Sequence, residues 1–82
     1  MTTTIQINHN ARRLLPVVRA AKDQTQETLA EIIGVSTTTI RGWESGRTRP
    51  KLEHLSALAT WAGVPLAVVA SSFGVDLPGL EG

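Results

Sequence analysis

The chain has 82 residues, of which 41% are hydrophobic and 18% are charged, and its formal net charge is +1. This length accommodates one small domain with a modest core. The chain contains no cysteine, which excludes disulfides and thiolate metal sites and fits a reducing cytoplasm. Its first ten residues lack the basic segment and apolar run of a secretory signal. We therefore expect a cytoplasmic protein.

The first predicted elements are an N-terminal arm and one helix. Ile5 and Ile7 alternate with polar neighbours, a pattern that fits either a strand or a flexible arm. Over residues 10–22, apolar side chains recur at spacings of three and four, which predicts a helix. Pro16 falls inside this segment, and proline in a helix interior costs about 3 kcal/mol. The helix is therefore either kinked or regular only from about Leu15 onward.

Two short helices follow, separated by a tight turn. Thr25 is a suitable N-cap for the first of them, and Gly34 can end it because glycine adopts a left-handed turn without a steric penalty. Ser36 is a suitable N-cap for the second, which runs to about Ser45. Gly46 ends it in the same way as Gly34 ends its predecessor.

The last third of the chain predicts two more helices. A fourth ends at Gly63, and Pro65 opens a short fifth one. Residues 54–75 contain no charged side chain over 22 positions, a length that suggests a membrane span. The glycine and proline interrupt this run, and hydroxyl side chains are scattered along it, so two short buried helices explain it better. We expect a compact five-helix, all-α bundle.

The predicted domain organisation is simple, and the charges along it are unevenly distributed. We expect an arm over residues 1–9, one domain over 10–73 and a tail over 74–82. Residues 36–51 carry a local charge of +3, whereas residues 52–82 carry −3. One end of the domain is therefore electropositive, which suits an anionic ligand bound on one face.

The most specific sequence feature is the helix pair between Thr25 and Gly46. A pair of this kind can hold its second helix away from the surface, where it fits a DNA major groove. The chain resembles the lambda-repressor-like, Cro-type family of helix-turn-helix domains over roughly residues 14–70. The pieces that carry the resemblance occur in order: TQ-x-x-LA at 25–30, G-V-S at 34–36, T-I-x-x-W-E-x-G at 39–46, R-P-x-L at 49–52 and L-A-x-x-A-G-V at 58–64.

The resemblance implies a domain that binds operator double-stranded DNA, usually as a homodimer on a near-palindromic site, in the cytoplasm of a bacterium or phage-infected host. It implies a set of base contacts from the recognition helix over residues 36–45. Threonine offers a hydroxyl to several bases and a methyl to thymine, and arginine in the major groove prefers guanine. The candidate base-contact positions are Thr37, Thr38, Arg41 and Gly42. For Arg41 the alternative is a phosphate contact or a solvated charge. Gly42 stands where family members often carry a base-reading side chain, and it either lets the backbone approach DNA or makes no contact, the second being favoured.

The resemblance also implies phosphate contacts and one structural ion pair. The N-terminus of the second helix favours an anion, and four donors surround the end of the recognition helix. The candidate phosphate contacts are Gln26, Thr39, Ser45, Arg47, Arg49 and Lys51; for Thr39, a bond to its own helix end is the favoured alternative. Arg19 is expected to pair with Glu44 and tie the first helix to the third.

The sequence departs from the family pattern at several positions. Gln24 replaces a usual leucine, and Asp23 replaces a common glycine. Lys51 and Pro65 stand where the family often has serines that cap helices. These departures leave local packing open and do not affect the candidate DNA-contacting residues.

Other classes of function are weighed against this hypothesis. No histidine, carboxylate or glycine-rich spacing points to catalysis, a metal or a cofactor, so we do not expect an enzyme. An antitoxin-type autoregulator and a protein-interaction module that uses the uncharged 54–75 surface are the alternatives. That surface also offers a candidate dimer interface at Trp61, Val68 and Phe73, although Trp61 fits a half-buried core position equally well. Repression, activation and membership of a longer protein stay open.

Overall fold

The computed structural model describes residues 11–75, so the predicted arm 1–9 and the tail beyond residue 75 lie outside the described residues. Within this range the chain forms five helices: α1 Ala11–Lys22, α2 Gln26–Ile33, α3 Thr37–Ser45, α4 Leu52–Ala62 and α5 Leu66–Ser72. No residue between 11 and 75 lies in a strand. The prediction of a five-helix, all-α fold is confirmed for this part of the chain.

α1 continues through its internal proline. It begins at Ala11 and includes Pro16 as its sixth residue, so the alternative that its regular part begins only near Leu15 is wrong. The proline removes one backbone hydrogen bond. Leu15, immediately before it, is completely buried in the core. Because most helix stability in proteins comes from packing of the apolar face, burial of this neighbour offsets the missing bond.

The predicted caps of α2 and α3 are confirmed. The Thr25 hydroxyl accepts a hydrogen bond from the Thr28 backbone N–H at 3.0 Å, and the Ser36 hydroxyl accepts one from the Thr39 N–H at 3.1 Å. Gly34 ends α2 with φ of 90°, in the left-handed region. These interactions define where α2 ends and α3 begins, which sets the direction of α3.

α4 and α5 begin without a side-chain cap. Lys51 precedes α4 and Pro65 precedes α5, and neither side chain makes a capping hydrogen bond. Both positions are departures from the family pattern. The two helices therefore depend on packing of their apolar faces rather than on their N-termini.

All five helices contribute to one core. The side chains that are no more than 2% exposed include Leu15 of α1, Leu29 of α2, Ile40 and Trp43 of α3, Leu55 and Leu58 of α4 and Val69 of α5. Full burial of a side chain of this size stabilises the fold by about 1.5–3 kcal/mol. α3 packs against both α1 and α2. Its apolar side is therefore held by two neighbours, and its other side faces outward.

The uncharged segment forms α4 and α5 instead of one long helix. Among residues 11–75, no single helix combines the length and the apolar character needed to cross a membrane. α4 and α5 meet those criteria only when they are taken together, and the chain bends by 114° between them. The prediction of two short helices over this segment is confirmed.

Candidate nucleic-acid interface

α3 has one buried side and one polar side. Ile40 and Trp43 are buried, whereas Thr38 and Arg41 are exposed and Thr37 is half-buried. Positions three and four apart lie next to each other on a helix surface, so Thr37 and Thr38 both neighbour Arg41. The structure thus brings three of the four predicted base-contact residues together. We call Thr37, Thr38 and Arg41 the α3 strip.

Thr39 differs from its two neighbours. Its hydroxyl lies 2.9 Å from the Ser36 hydroxyl, and its backbone N–H donates to the same Ser36 oxygen at 3.1 Å. The side chain is half-buried. Thr39 therefore takes part in the N-terminal cap of α3, which is the alternative given above to a phosphate contact.

Four polar side chains from three helices form one hydrogen-bonded chain. Arg19 donates to Glu44 through Nε to Oε2 at 2.8 Å and through Nη2 to Oε1 at 3.1 Å. Gln26 Nε2 donates to Glu44 Oε1 at 2.9 Å, and Gln26 Oε1 accepts from Arg41 Nε at 3.3 Å. The Glu44 carboxylate only accepts, so the Gln26 amide must direct its nitrogen to Glu44 and its oxygen to Arg41.

This chain of contacts connects the interior to the α3 strip. The side chains of Arg19 and Glu44 are only 18% and 9% exposed, whereas Arg41 is exposed. Arg41 uses its Nε on Gln26, so its two terminal nitrogens point away from that bond and stay available for a bidentate contact. Gln26, the first residue of α2, keeps a second hydrogen on Nε2 for an anion at that helix end.

Gly42 lies beneath the loop that follows α3. It is buried, and its carbonyl oxygen accepts hydrogen bonds from the backbone N–H groups of Arg47 at 2.9 Å and Thr48 at 3.2 Å. A Cβ at position 42 would lie 2.8 Å from Thr48 Oγ1. Packing of the loop therefore accounts for the glycine, and position 42 presents no side chain to a base. A base contact from position 42 stays a prediction, and this packing favours the alternative in which the position makes no contact.

Sequence reasoning missed Thr48 in this arrangement. Thr48 stands between two arginines in R-T-R-P, and the basic residues around it dominate that segment. A signal was present, because Gly42 precedes the helix-ending Gly46 by four residues. A glycine inside a helix costs about 1 kcal/mol relative to alanine, so its presence there points to a packing reason.

The segment after α3 carries the cluster of cations. We call residues 46–51 the basic loop; its Arg47, Arg49 and Lys51 are exposed, whereas Pro50 is buried and anchors the loop. Ser45, just before it, is also exposed but donates its hydroxyl hydrogen to the Gly42 carbonyl at 3.1 Å. Three cations therefore lie on the loop that leaves the C-terminal end of α3.

The three candidates for a dimer interface lie in different environments. Val68 is 46% exposed, whereas Phe73 is 7% exposed and packs inside the core. Trp61 is half-buried, and its indole Nε1 donates to Gln24 Oε1 at 2.8 Å. Phe73 therefore packs in the core of the single chain, and its place in a dimer interface stays a prediction. Gln24 is explained as well, because it supplies the acceptor that the tryptophan N–H needs.

The described residues give no geometric support to a metal site. Between residues 11 and 75, no group of three or more histidine, cysteine or carboxylate side chains could hold an ion. His54 is half-buried, and its ring centroid lies 5.4 Å from that of Trp43. Its packing against the core tryptophan gives it a structural role.

A family model described as helix-turn-helix matches residues 18–69, which include α2, α3 and α4 in full. The chain belongs to this lambda-repressor-like, Cro-type helix-turn-helix family. The match assigns residues 18–69 to a family of DNA-binding helix-turn-helix domains.

Two curated regulators of transcription are similar to part of the chain. It is 41% identical over 54 residues to the cryptic phage CTXphi transcriptional repressor RstR of Vibrio cholerae, a match that covers 66% of this chain and 49% of RstR. It is 40% identical over 52 residues to the HTH-type transcriptional activator BcrR of Enterococcus faecalis, covering 63% of this chain and 26% of BcrR. The chain thus matches about half or less of each of these two relatives.

A solved structure has the same fold. The DNA-binding domain of the P22 C2 repressor superposes with a TM-score of 0.70, covering 80% of this chain and 87% of that domain at 23% sequence identity. At this level of identity the likeness establishes the arrangement of the helices and nothing beyond it.

Proposed function

We propose that this chain is a sequence-specific regulator of transcription that inserts the helix over residues 36–45 into the major groove of operator DNA. The observation that supports this most directly is the α3 strip beside the basic loop. Polar groups on a rigid helix suit base edges, and cations beside them suit the phosphates that line the groove. We assign the DNA-binding unit to residues 10–73, between an arm over 1–9 and a tail over 74–82.

The base contacts in this proposal come from the α3 strip. The first turn of a recognition helix lies closest to the bases in this docking mode, and Thr37 and Thr38 occupy that turn. Each can offer a hydroxyl to several bases and a methyl group to a thymine. Arg41 supplies the most selective contact, because two of its nitrogens can bind O6 and N7 of one guanine.

The phosphate contacts provide most of the affinity. Exposed arginine and lysine side chains release counterions from DNA when they bind, and the basic loop offers three of them. The remaining groups are the amide of Gln26 at the N-terminus of α2, the hydroxyl of Thr39 in the cap of α3 and the hydroxyl of Ser45 beside the loop. The full proposed set is Gln26, Thr39, Ser45, Arg47, Arg49 and Lys51.

We propose repression as the regulatory effect and the cytoplasm of a bacterium or an infected host as the location. RstR is named as a repressor and BcrR as an activator, so the relatives support both directions. Repression requires only that the bound domain occupy its operator. Activation would require an additional contact with the transcription machinery.

We further propose that the protein binds a near-palindromic operator as a homodimer. A two-fold dimer presents two α3 helices to successive major grooves, so its half-sites lie about one helical turn, roughly 34–36 Å, or a multiple of it apart. Val68 on α5 is exposed and, together with the half-buried Trp61, supplies apolar surface for a second copy.

Selection from a random duplex library tests the proposal. We expect the purified protein to select an inverted repeat and to bind it about a thousandfold or more tightly than a scrambled duplex. Its affinity should fall steeply with salt, because released counterions drive binding. Glu31→Gln is the control variant, since it also changes the net charge by one unit, at an exposed side chain of α2 outside the proposed contact set.

Equal and weak binding to every duplex would contradict the proposal. The α4–α5 surface would then be the place to look for a protein partner. An antitoxin-type autoregulator would instead select DNA and also bind a second protein through that surface.

A further inference from the structure

Thr48, an exposed residue of the basic loop, occupies the space that a side chain at position 42 would otherwise fill. A Cβ built on Gly42 would lie 2.8 Å from Thr48 Oγ1, 3.9 Å from Thr48 Cβ and 3.8 Å from an Arg47 terminal nitrogen. The hydroxyl therefore sits just beyond the missing Cβ, where the distal atoms of a longer side chain at 42 would be. Thr48 can pack here only because position 42 is glycine.

The backbone holds Thr48 in this place. Gly46 ends α3 with φ of 83°, in the left-handed region, which turns the chain back over the last helical turn. The N–H groups of residues 47 and 48 then both donate to the Gly42 carbonyl, at 2.9 and 3.2 Å. These two bonds fix the Cα of Thr48 against α3, so the hydroxyl position does not depend on a long flexible side chain.

Position 42 also borders the α3 strip. It follows Arg41 directly and lies one helical turn after Thr38, so residues 38 and 42 are neighbours on the helix surface. Thr48 is exposed, and no hydrogen bond from its hydroxyl to another described residue is present. Thr48 is therefore an exposed residue next to the proposed base-contact residues, with its hydroxyl positioned against α3.

We propose that Thr48 determines base specificity in place of a side chain at position 42. The inference rests on the proposed function, because it requires that the α3 strip face the major groove. The threonine hydroxyl can donate to or accept from a base edge, and its methyl can contact the methyl of thymine. Gly42 contributes by leaving room for it, and the neighbouring Arg47 binds the adjacent phosphate.

The test compares base preferences of variants on a library randomised around the selected operator. In Thr48→Val the methyl group stays and the hydroxyl is replaced by a second methyl of similar shape. We expect the preference at one base pair to fall by about three- to tenfold, the value of one hydrogen bond. That base pair should differ from the one affected by Arg41→Ala. Thr48→Ser keeps the hydroxyl and should restore most of the preference.

Two further variants sharpen the experiment. Gly42→Ala places a Cβ 2.8 Å from the Thr48 hydroxyl, so it should displace the hydroxyl and weaken the preference at the same base pair, although alanine favours the helix more than glycine does. Thr60→Val removes the hydroxyl of an exposed threonine on α4 and is the matched control, with preferences equal to those of the wild type. Thermal unfolding of each variant confirms that the fold is intact.

Each outcome supports or overturns the role of Thr48 in base specificity. Loss of preference at one base pair in both Thr48→Val and Gly42→Ala supports the inference. A Thr48→Val profile identical to the wild type overturns it, as does an equal loss of affinity for every sequence, which would mean that the hydroxyl binds a phosphate. If the wild type itself shows no preference, the proposed function fails and the inference with it.

Discussion

Glu44 is the residue at which the polar contacts of this domain converge. It accepts two hydrogen bonds from Arg19 and one from Gln26, and its side chain is only 9% exposed. Through these partners it joins α1, α2 and α3. Because Arg19 and Glu44 have little contact with water, removal of one leaves the hydrogen-bonding groups of the other unsatisfied. The resulting loss of folding stability exceeds the contribution of an exposed ion pair.

Loss of the Glu44 charge should therefore destabilise the domain. We expect Glu44→Gln to lower the free energy of unfolding by about 2–3 kcal/mol, somewhat below the cost of breaking a fully buried pair because Arg19 keeps some contact with water. Urea unfolding measures the change. Glu53→Gln is the matched control, since that side chain is 75% exposed. Equal stability of the two variants would contradict a structural role for the pair.

Two residue-scale details depend on side-chain orientation and could not be read from the sequence. The Gln24 amide accepts the hydrogen bond of the Trp61 indole, across a separation of 37 residues. The Thr48 hydroxyl covers Gly42. The sequence shows Gln24 and Gly42 as departures from the family pattern. Their partners, Trp61 and Thr48, are identified only once the chain is folded.

At the scale of elements, the sequence predicts most of the architecture because the relevant signals are local. Thr25, Gly34, Ser36 and Gly46 mark the ends of α2 and α3 through hydrogen bonds and backbone angles that span only a few residues. The course of α1 through Pro16 is different. Whether a proline is tolerated depends on tertiary packing of the whole helix, which no local signal contains.

The end of α1 offers a test of backbone strain. Asp23 has φ of 57°, in the left-handed region, at a position where the family commonly has glycine. Left-handed backbone costs an L-residue about 1–2 kcal/mol, toward the lower end for aspartate because its short polar side chain tolerates this region, whereas glycine costs about 0.4–1 kcal/mol through the entropy of the unfolded chain. The cost of the left-handed backbone exceeds the entropic cost of glycine, so glycine is favoured at position 23.

We therefore expect Asp23→Gly to raise the free energy of unfolding by up to about 1 kcal/mol. Thermal or urea unfolding gives the value. Asp23→Ala removes the same carboxylate but keeps a Cβ, so it should give no gain. If both variants were stabilised equally, the cause would be the loss of charge rather than relief of the backbone.

At the scale of the whole molecule, charge and apolar surface are separated. Residues 36–51 carry a net +3 on α3 and the basic loop. Residues 52–75, which form α4 and α5, contain Glu53 as their only charged side chain. A polyanion is thus attracted to α3 and the basic loop, whereas α4 and α5 carry little charge.

The central claim is that α3 recognises bases while the basic loop holds phosphates. The most direct test compares Arg41→Ala with Lys51→Ala on the selected operator and on all its single-base variants, at several salt concentrations. Arg41→Ala should relax the preference at one base pair by about 1–3 kcal/mol. Lys51→Ala should weaken binding to all sequences alike and reduce the salt slope by about 1. If Arg41→Ala instead weakened every duplex equally, α3 would not be reading the sequence.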